Sequence, residues 1–448
     1  MQLTLSGLAL LLGAVPVFLS SAYEPRLARV GGWWMAAVVL LALLDALVTR
    51  RVARVEALRE VDAKLSLGAA NRVRIKLRNR SRWPLKLQVK DSPPVRFRTP
   101  ERMRSLSLEP FGSGEVTYVT TPLERGDFTF GDLYLRGRGR LGLTAWQRRL
   151  PATQEVKVYP NLVEVERYDL LARSQRLTEV GFHALRQRGE GTQFESLREY
   201  VPDDEFRSID WKATARRGKP ITRQYEVERS QNVILMLDTG RMMRAQVSSR
   251  PPGTAGGEPL PMSKLDHGIN AALLLAHVAV AHDDAVGLVA FGSSLHCFLP
   301  PRKGRAQIGR LVDQMYALQP ALEEPDYPLA FSLLTQRSRK RALVVVFTDL
   351  VDADASQRLL AQLVALRPRY LPLLVTLRDG DLERVARGVP AQVEGAYQKA
   401  VAGQVLAARE TALARLRARG VLVVDVPAGT LSVAAVNEYL RLKNTGRL

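Results

Sequence analysis

Val233-Ile234-Leu235-Met236-Leu237-Asp238 and Val344-Val345-Val346-Phe347-Thr348-Asp349 are the two stretches that decide how the larger part of this chain folds. Each is a short apolar run closed by an aspartate. A strand with one solvated face alternates apolar and polar residues, whereas runs like these are buried on both faces, as in a mostly parallel sheet covered by helices. Ala285 to Phe291, Ala342 to Phe347, Tyr370 to Thr376 and Val421 to Val426 read the same way. Between them, Ser263 to His282, Arg305 to Leu318 and Ala355 to Leu366 have helical spacing. The alternation predicts an α/β domain over 231–448 with a doubly wound sheet, and Ser248 to Pro261, with its Pro-Pro and Gly-Gly pairs, predicts a surface insertion.

In such sheets function collects at the carboxyl ends of the strands, where Asp238 and Asp349 stand. The pair resembles the metal-ion-dependent adhesion site of von Willebrand factor A domains, in which a hard cation takes oxygens from Asp-x-Ser-x-Ser and from an Asp after a later strand. Asp238-Thr239-Gly240-Arg241-Met242 has Gly240 and Met242 where the serines belong, and Leu318-Gln319-Pro320 offers no threonine. The resemblance implies a von Willebrand A-like domain with a degenerate site that binds Mg2+ weakly if at all. The competing reading makes both acids strand-end caps. As exposed loop acids, they are expected to contribute little to the core.

Upstream, Phe194-Glu195-Ser196-Leu197-Arg198-Glu199-Tyr200-Val201-Pro202-Asp203-Asp204-Glu205-Phe206-Arg207-Ser208-Ile209-Asp210-Trp211-Lys212-Ala213-Thr214-Ala215-Arg216 resembles the signature of the domain-of-unknown-function 58 family. Arg125-Gly126-Asp127-Phe128 and Tyr439-Leu440-Arg441-Leu442-Lys443 resemble the family's pattern as well. The resemblance implies a membrane-anchored bacterial or archaeal protein with a von Willebrand A-like domain, associated with a MoxR-type AAA+ ATPase. It implies architecture more than chemistry. Read from the residues alone, the segment at 166–230 mixes Arg198, Glu199, Asp203, Asp204, Arg207, Asp210 and Arg216 around Trp211. Such density of both signs predicts an ion-pair network or docking segment with Trp211 as its apolar anchor.

Residues 51–165 form short alternating runs broken by Gly and Pro, such as Val116 to Val119, Phe128 to Phe130 and Leu133 to Leu135, which predict a small antiparallel β-sandwich. Arg72, Arg74, Lys76, Arg78, Arg80 and Arg82 alternate with Val73, Ile75 and Leu77, so a period of two places the cations on one face. That face is either solvated or a patch for an anionic membrane surface. The chain carries 65 Lys and Arg against 45 Asp and Glu, and residues 50–150 alone hold 23 basic and 10 acidic side chains. Nucleic acid is a weaker candidate, because the run lacks interleaved aromatics.

Leu3 to Leu19 and Val30 to Thr49 are the outermost features, nearly uncharged and each long enough to cross a hydrocarbon core of about 30 Å. They predict a helical hairpin over 1–50. Met1-Gln2-Leu3-Thr4 lacks the basic start of a secretory signal. Arg50, Arg51, Arg54 and Arg59 outnumber Arg26 and Arg29, which by the positive-inside rule places residues after 50 in the cytoplasm, and with the family resemblance the expected location is the inner membrane. Asp45, within a turn of that interface, is expected to snorkel.

A lone cysteine, Cys297, excludes a disulfide scaffold. No phosphate loop is present, and Gly292-Ser293-Ser294 reads as a hairpin turn rather than a nucleophile elbow. Residues 381–418 read as a solvated helical face. The expected function is a non-enzymatic membrane-anchored adaptor; the alternatives are a divalent-metal-dependent hydrolase using Asp238, Asp349 and the acids near Asp203, or a nucleic-acid binder.

Overall fold

In the computed structural model, the first apolar stretch is broken: strand β1 (Gln2–Leu3) leads into α1 (Leu5–Leu12) and α2 (Ala14–Ser20). Pro16 has no N–H to bond the Leu12 carbonyl and its ring collides with that carbonyl, so the chain restarts its helix after Gly13. Helix α3 (Arg26–Val52) is continuous, and its Arg26–Thr49 portion is long and apolar enough to cross a membrane. The Leu5–Ser20 stretch is shorter than that, so among the described residues one such helix stands where two were expected. The shorter helices fold back along α3, with Trp34 Nε1 donating to the Leu10 carbonyl at 2.9 Å.

The structure describes residues 2–20, 22–52, 54–100, 103–161, 165, 168, 193–201, 206, 209–226, 230–249, 260–350, 353–390 and 392–446. They divide into two units, Met1–Tyr159 and Pro160–Leu448. The first joins the apolar helices to the basic strand region. Its strands are β2 (Val55–Glu60), β3 (Lys64–Ser66), β4 (Asn71–Asn79), β5 (Leu85–Lys90), β6 (Phe97–Arg98), β7 (Met103–Leu108), β8 (Ser113–Pro122), β9 (Gly126–Phe130), β10 (Leu133–Arg138), β11 (Thr144–Leu150) and β12 (Gln154–Tyr159). They form sheets ordered β1-β11-β10-β5-β7, β2-β4-β8-β6 and β3-β12-β9, antiparallel except for the β3–β12 pair. Val73, Ile75 and Leu77 face inward as their alternation predicts. Arg59, counted above in the membrane flank, is instead buried: its Nε donates to Asp91 Oδ2 at 3.0 Å, its Nη1 and Nη2 donate to the Ala152 and Gly131 carbonyls, and Tyr118 donates to Asp91 at 2.7 Å.

In the second unit β13 (Gln193–Glu199) pairs with β14 (Ile221–Glu226), with α4 (Trp211–Arg217) between them. The main sheet follows: β15 (Asn232–Asp238), β18 (Ala285–Phe291), β19 (Leu295–Arg302), β20 (Leu343–Phe347), β21 (Leu371–Arg378) and β22 (Leu422–Pro427), in the order β19-β18-β15-β20-β21-β22. A small antiparallel pair, β16 (Gln246–Ser249) and β17 (Leu260–Ser263), flanks the insertion. The helices are α5 (Lys264–Ala281), α6 (Arg305–Ala317), α7 (Tyr327–Arg337), α8 (Ala353–Leu366), α9 (Gly380–Arg387), α10 (Val393–Ala418) and α11 (Leu431–Asn444).

β15 lies mid-sheet, parallel to both β18 and β20. Its Val233, Leu235 and Leu237 pack with Ile269 and Leu273 of α5 and Tyr439 of α11, while Ile234 and Met236 pack with Phe331 of α7, Leu363 of α8 and Leu413 of α10. A helix layer on each face is what the unbroken apolar runs require. β19 is antiparallel to β18 around the Gly292 to Ser294 turn; its Pro300 and Pro301 masked it in sequence, but an edge strand tolerates proline. α7 was also unread, because Pro328 opens it after Asp326, whose Oδ1 accepts from Leu329 N at 2.9 Å.

Candidate functional site

Asp238 ends β15 and Asp349 follows β20, so the parallel pairing of these strands brings both carboxylates to one end of the sheet. Neither is the exposed loop acid expected above: Asp238 is 1% and Asp349 4% accessible. Asp238 Oδ1 accepts from Gly240 N at 2.7 Å, and Oδ2 accepts from Thr348 Oγ1 at 2.6 Å and from Tyr327 OH at 3.1 Å. No cation pairs with it among the described residues, and burial raises its pKa despite those three donors.

Asp349 lies among cations. Lys264 Nζ is 2.5 Å from its Oδ2, and Arg409 Nη1 donates to its Oδ1. Arg409 Nη2 continues to Thr376 Oγ1 at 2.8 Å, the Leu377 carbonyl at 2.7 Å and Asp425 Oδ1 at 2.9 Å. Burial would raise the Asp349 pKa, but Lys264 and Arg409 outweigh it and hold the carboxyl below its ordinary value. The hard, octahedral coordination of Mg2+ needs free oxygens. Here an ammonium and a guanidinium take both oxygens of Asp349, and hydroxyl and amide donors take those of Asp238. No cluster of three His, Cys, Asp or Glu residues suited to a metal occurs among the described residues. These residues do not fit the expected cation.

Lys264, Arg409, Tyr327 and Thr348 were not legible as site residues. Arg409 fell within 381–418, read as a solvated face, yet it is buried together with Ala402, Leu413 and Leu416 on α10. An arginine interrupting an apolar stripe at helical spacing is the signal that marks it.

In the segment from Arg198 to Arg216, Arg198 and Glu199 lie on β13, while Asp203, Asp204 and Arg207 lie outside the described residues. Asp210 caps α4, its Oδ1 accepting from Lys212 N at 2.9 Å and Ala213 N at 3.0 Å. Gly218, at φ 68°, closes the helix in the left-handed conformation. Trp211 is no buried anchor. It is 61% accessible, and Phe206, at 69%, meets it edge-on with ring centroids 5.6 Å apart. Arg216 is exposed at the end of the same helix.

On β4 and the residues just after it, three of the six alternating cations are paired: Arg74 with Glu115 at 3.0 Å, Lys76 with Glu60 at 2.6 Å and Arg80 with Glu56 at 3.0 Å. Arg72, Arg78 and Arg82 are exposed. Asp45, expected to snorkel, is buried: its Oδ1 accepts from Leu141 N at 2.8 Å, and its Oδ2 from Thr144 N at 3.0 Å and Thr144 Oγ1 at 2.8 Å.

Among solved structures the chain is similar to the CARDB domain of a Pyrococcus furiosus protein, at 13% identity, covering 24% of this chain and 94% of that one with a TM-score of 0.19. It is also similar to a PapD-like domain of human CEP192, at 14% identity, covering 24% of this chain and 86% of that one with a TM-score of 0.18. Likenesses this weak carry no argument about the fold. The uncharacterized protein YeaD of Bacillus subtilis (strain 168) is 28% identical over 196 residues, which are 41% of this chain and 47% of that protein. The chain therefore spans about half the length of this curated relative. Residues 196–380 match the model of a family described as protein of unknown function DUF58, a span that runs from the signature segment to the start of α9. Together these two findings support the family that the Phe194 to Arg216 signature resembles.

Proposed function

We propose that the chain is a non-enzymatic scaffold, anchored in the inner membrane through its apolar helices, that presents a von Willebrand A-like domain to a protein partner on the cytoplasmic side. The mid-sheet first strand and its antiparallel edge suit that domain type. The observation that carries the proposal is the exposed Phe206–Trp211 pair beside Lys212, Arg216 and Arg217. Water-exposed aromatic pairs flanked by cations suit docking, because aromatic and arginine side chains supply most binding hot spots. The strand-end acids favour the same reading, since Asp349 is satisfied by internal cations and Asp238 by internal hydroxyl and amide donors, so neither is well placed to act on a substrate.

The partner proposed from the family resemblance is a MoxR-type AAA+ ATPase, which would supply the hydrolysis this chain lacks a phosphate loop to perform. Its docking face should be acidic with an apolar cleft. An anionic membrane surface is the second partner, next to the basic strand region. The test is capture of a purified MoxR-type ATPase by the full-length chain in detergent. Phe206→Ala with Trp211→Ala should weaken capture by roughly thirtyfold, the equivalent of losing a hot spot of about 2 kcal/mol. Undiminished capture by a correctly folded double variant would reject this docking face.

A further inference from the structure

β4 announces itself in sequence as the cationic strand, but its glutamate neighbours neutralise half of it. A second group of cations, beside α1, lies on the other large sheet. Gln88 faces Arg136 across the β5–β10 pair, and two residues further along the same register, Lys86 and Arg138 lie on that same face. Lys86, Arg136 and Arg138 form no ion pair among the described residues, and all three are exposed. β1 extends this sheet by pairing Gln2 with Ala145 and Leu3 with Thr144, and Thr4 Oγ1 donates to the Gly142 carbonyl. The first turn of α1 is thereby held beside the cations.

Between helix and sheet lies a groove of about 910 Å³. Its floor carries Lys86, Arg136 and Arg138, its apolar wall carries Leu5 and Leu8, and among the described residues no acidic side chain lines it. Leu5 is 86% accessible, unusual for a leucine at the foot of an apolar helix. Three unopposed cations against an apolar wall match a ligand with a phosphate at one end and a hydrocarbon at the other.

We infer that this groove binds the headgroup of an anionic phospholipid, with its phosphate on Lys86, Arg136 and Arg138 and its glycerol and first acyl carbons against Leu5 and Leu8. The inference rests on the reading that the apolar helices lie in a membrane, which would put the groove at the level of the headgroups. The site fixes one lipid at the joint between anchor and strand region, a more specific role than attraction of a charged strand to a surface.

The test uses the full-length chain in detergent, titrated with dihexanoyl phosphatidylglycerol, dihexanoyl phosphatidylcholine or glycerol 3-phosphate and followed by thermal shift and native mass spectrometry. Phosphatidylglycerol should bind and raise the melting midpoint, and phosphatidylcholine should not. Arg136→Gln with Arg138→Gln, and separately Lys86→Gln, should weaken binding by roughly fivefold per cation removed. Arg72→Gln with Arg78→Gln, cations of β4 outside the groove, should leave it unchanged. Equal loss in the β4 pair, an equal response to both lipids, or no response overturns the proposal. A response to glycerol 3-phosphate as strong as to phosphatidylglycerol assigns the groove to a free phosphate and overturns the lipid reading. The lysine variant keeps the test decidable if the double arginine variant fails to fold. Failure of the membrane reading registers separately, as recovery of the chain in the soluble fraction after alkaline washing of membranes.

Discussion

Two buried aspartates at one end of the same sheet have opposite electrostatic fates, decided by what stands beside them. Asp349 is held below its ordinary value by Lys264 and Arg409, so the stability it contributes is complete above the ordinary carboxyl pKa of 3.8 and is lost as pH falls through the lower folded value. Asp238 is pushed up by burial, so it contributes most when protonated and costs stability as pH rises through its folded value. Asp349→Asn should therefore lower the melting midpoint at neutral pH by about 5 to 10 °C, because two buried cations lose their countercharge. Asp238→Asn should melt at or above the wild-type midpoint at neutral pH and lose that advantage in acid. Melting curves from pH 3 to 8 check both, and a similar loss in the two variants would contradict the assignment. That the acids close apolar strands was legible from Val233 to Asp238 and Val344 to Asp349. Their partners were not: Arg409 lies 60 residues beyond Asp349, and only the packing of α10 on the sheet brings it there.

At the scale of elements, Asp45 ties α3 to the turn between β10 and β11 by accepting from two backbone amides and a hydroxyl. The approach is close: a Cβ at Gly139 would collide with the Asp45 carboxylate, so a larger residue there would have to displace that side chain from its hydrogen bonds. Asp45→Ala leaves the Leu141 and Thr144 amides without their acceptor, a cost of about 1 to 3 kcal/mol each if they stay buried. The turn should open, and trypsin should cut after Arg140 on the order of tenfold faster than in wild type. Unchanged cleavage would mean that other contacts hold the turn. On β4 the period of two correctly separated Val73, Ile75 and Leu77 from the cations. Cross-strand register decided which cations meet Glu56, Glu60 and Glu115, and a strand's own sequence carries no information about that neighbour.

For the whole molecule, the division at Tyr159 and Pro160 implies different fates for the two parts when separated. Residues 160–448 contain a sheet with a core on each face and should melt cooperatively by circular dichroism as an isolated fragment. Residues 55–159 lose β1 from the edge of β11 and Asp45 from the β10–β11 turn, and should melt far lower than the same strands in the intact chain. A fragment of 55–159 as stable as the intact unit would show that the helices are only an anchor. The sequence by itself determined the α/β domain, the alternating strands, the apolar helices and the family likeness, because periodicity, composition and motif are local properties. Tertiary structure alone decided that the strand-end acids are buried, that Lys264 and Arg409 neutralise one of them, that Trp211 faces solvent and that Lys86, Arg136 and Arg138 share a groove with Leu5. Each of these depends on which distant side chain arrives within a few ångströms, and burial and charge pairing are set at that range.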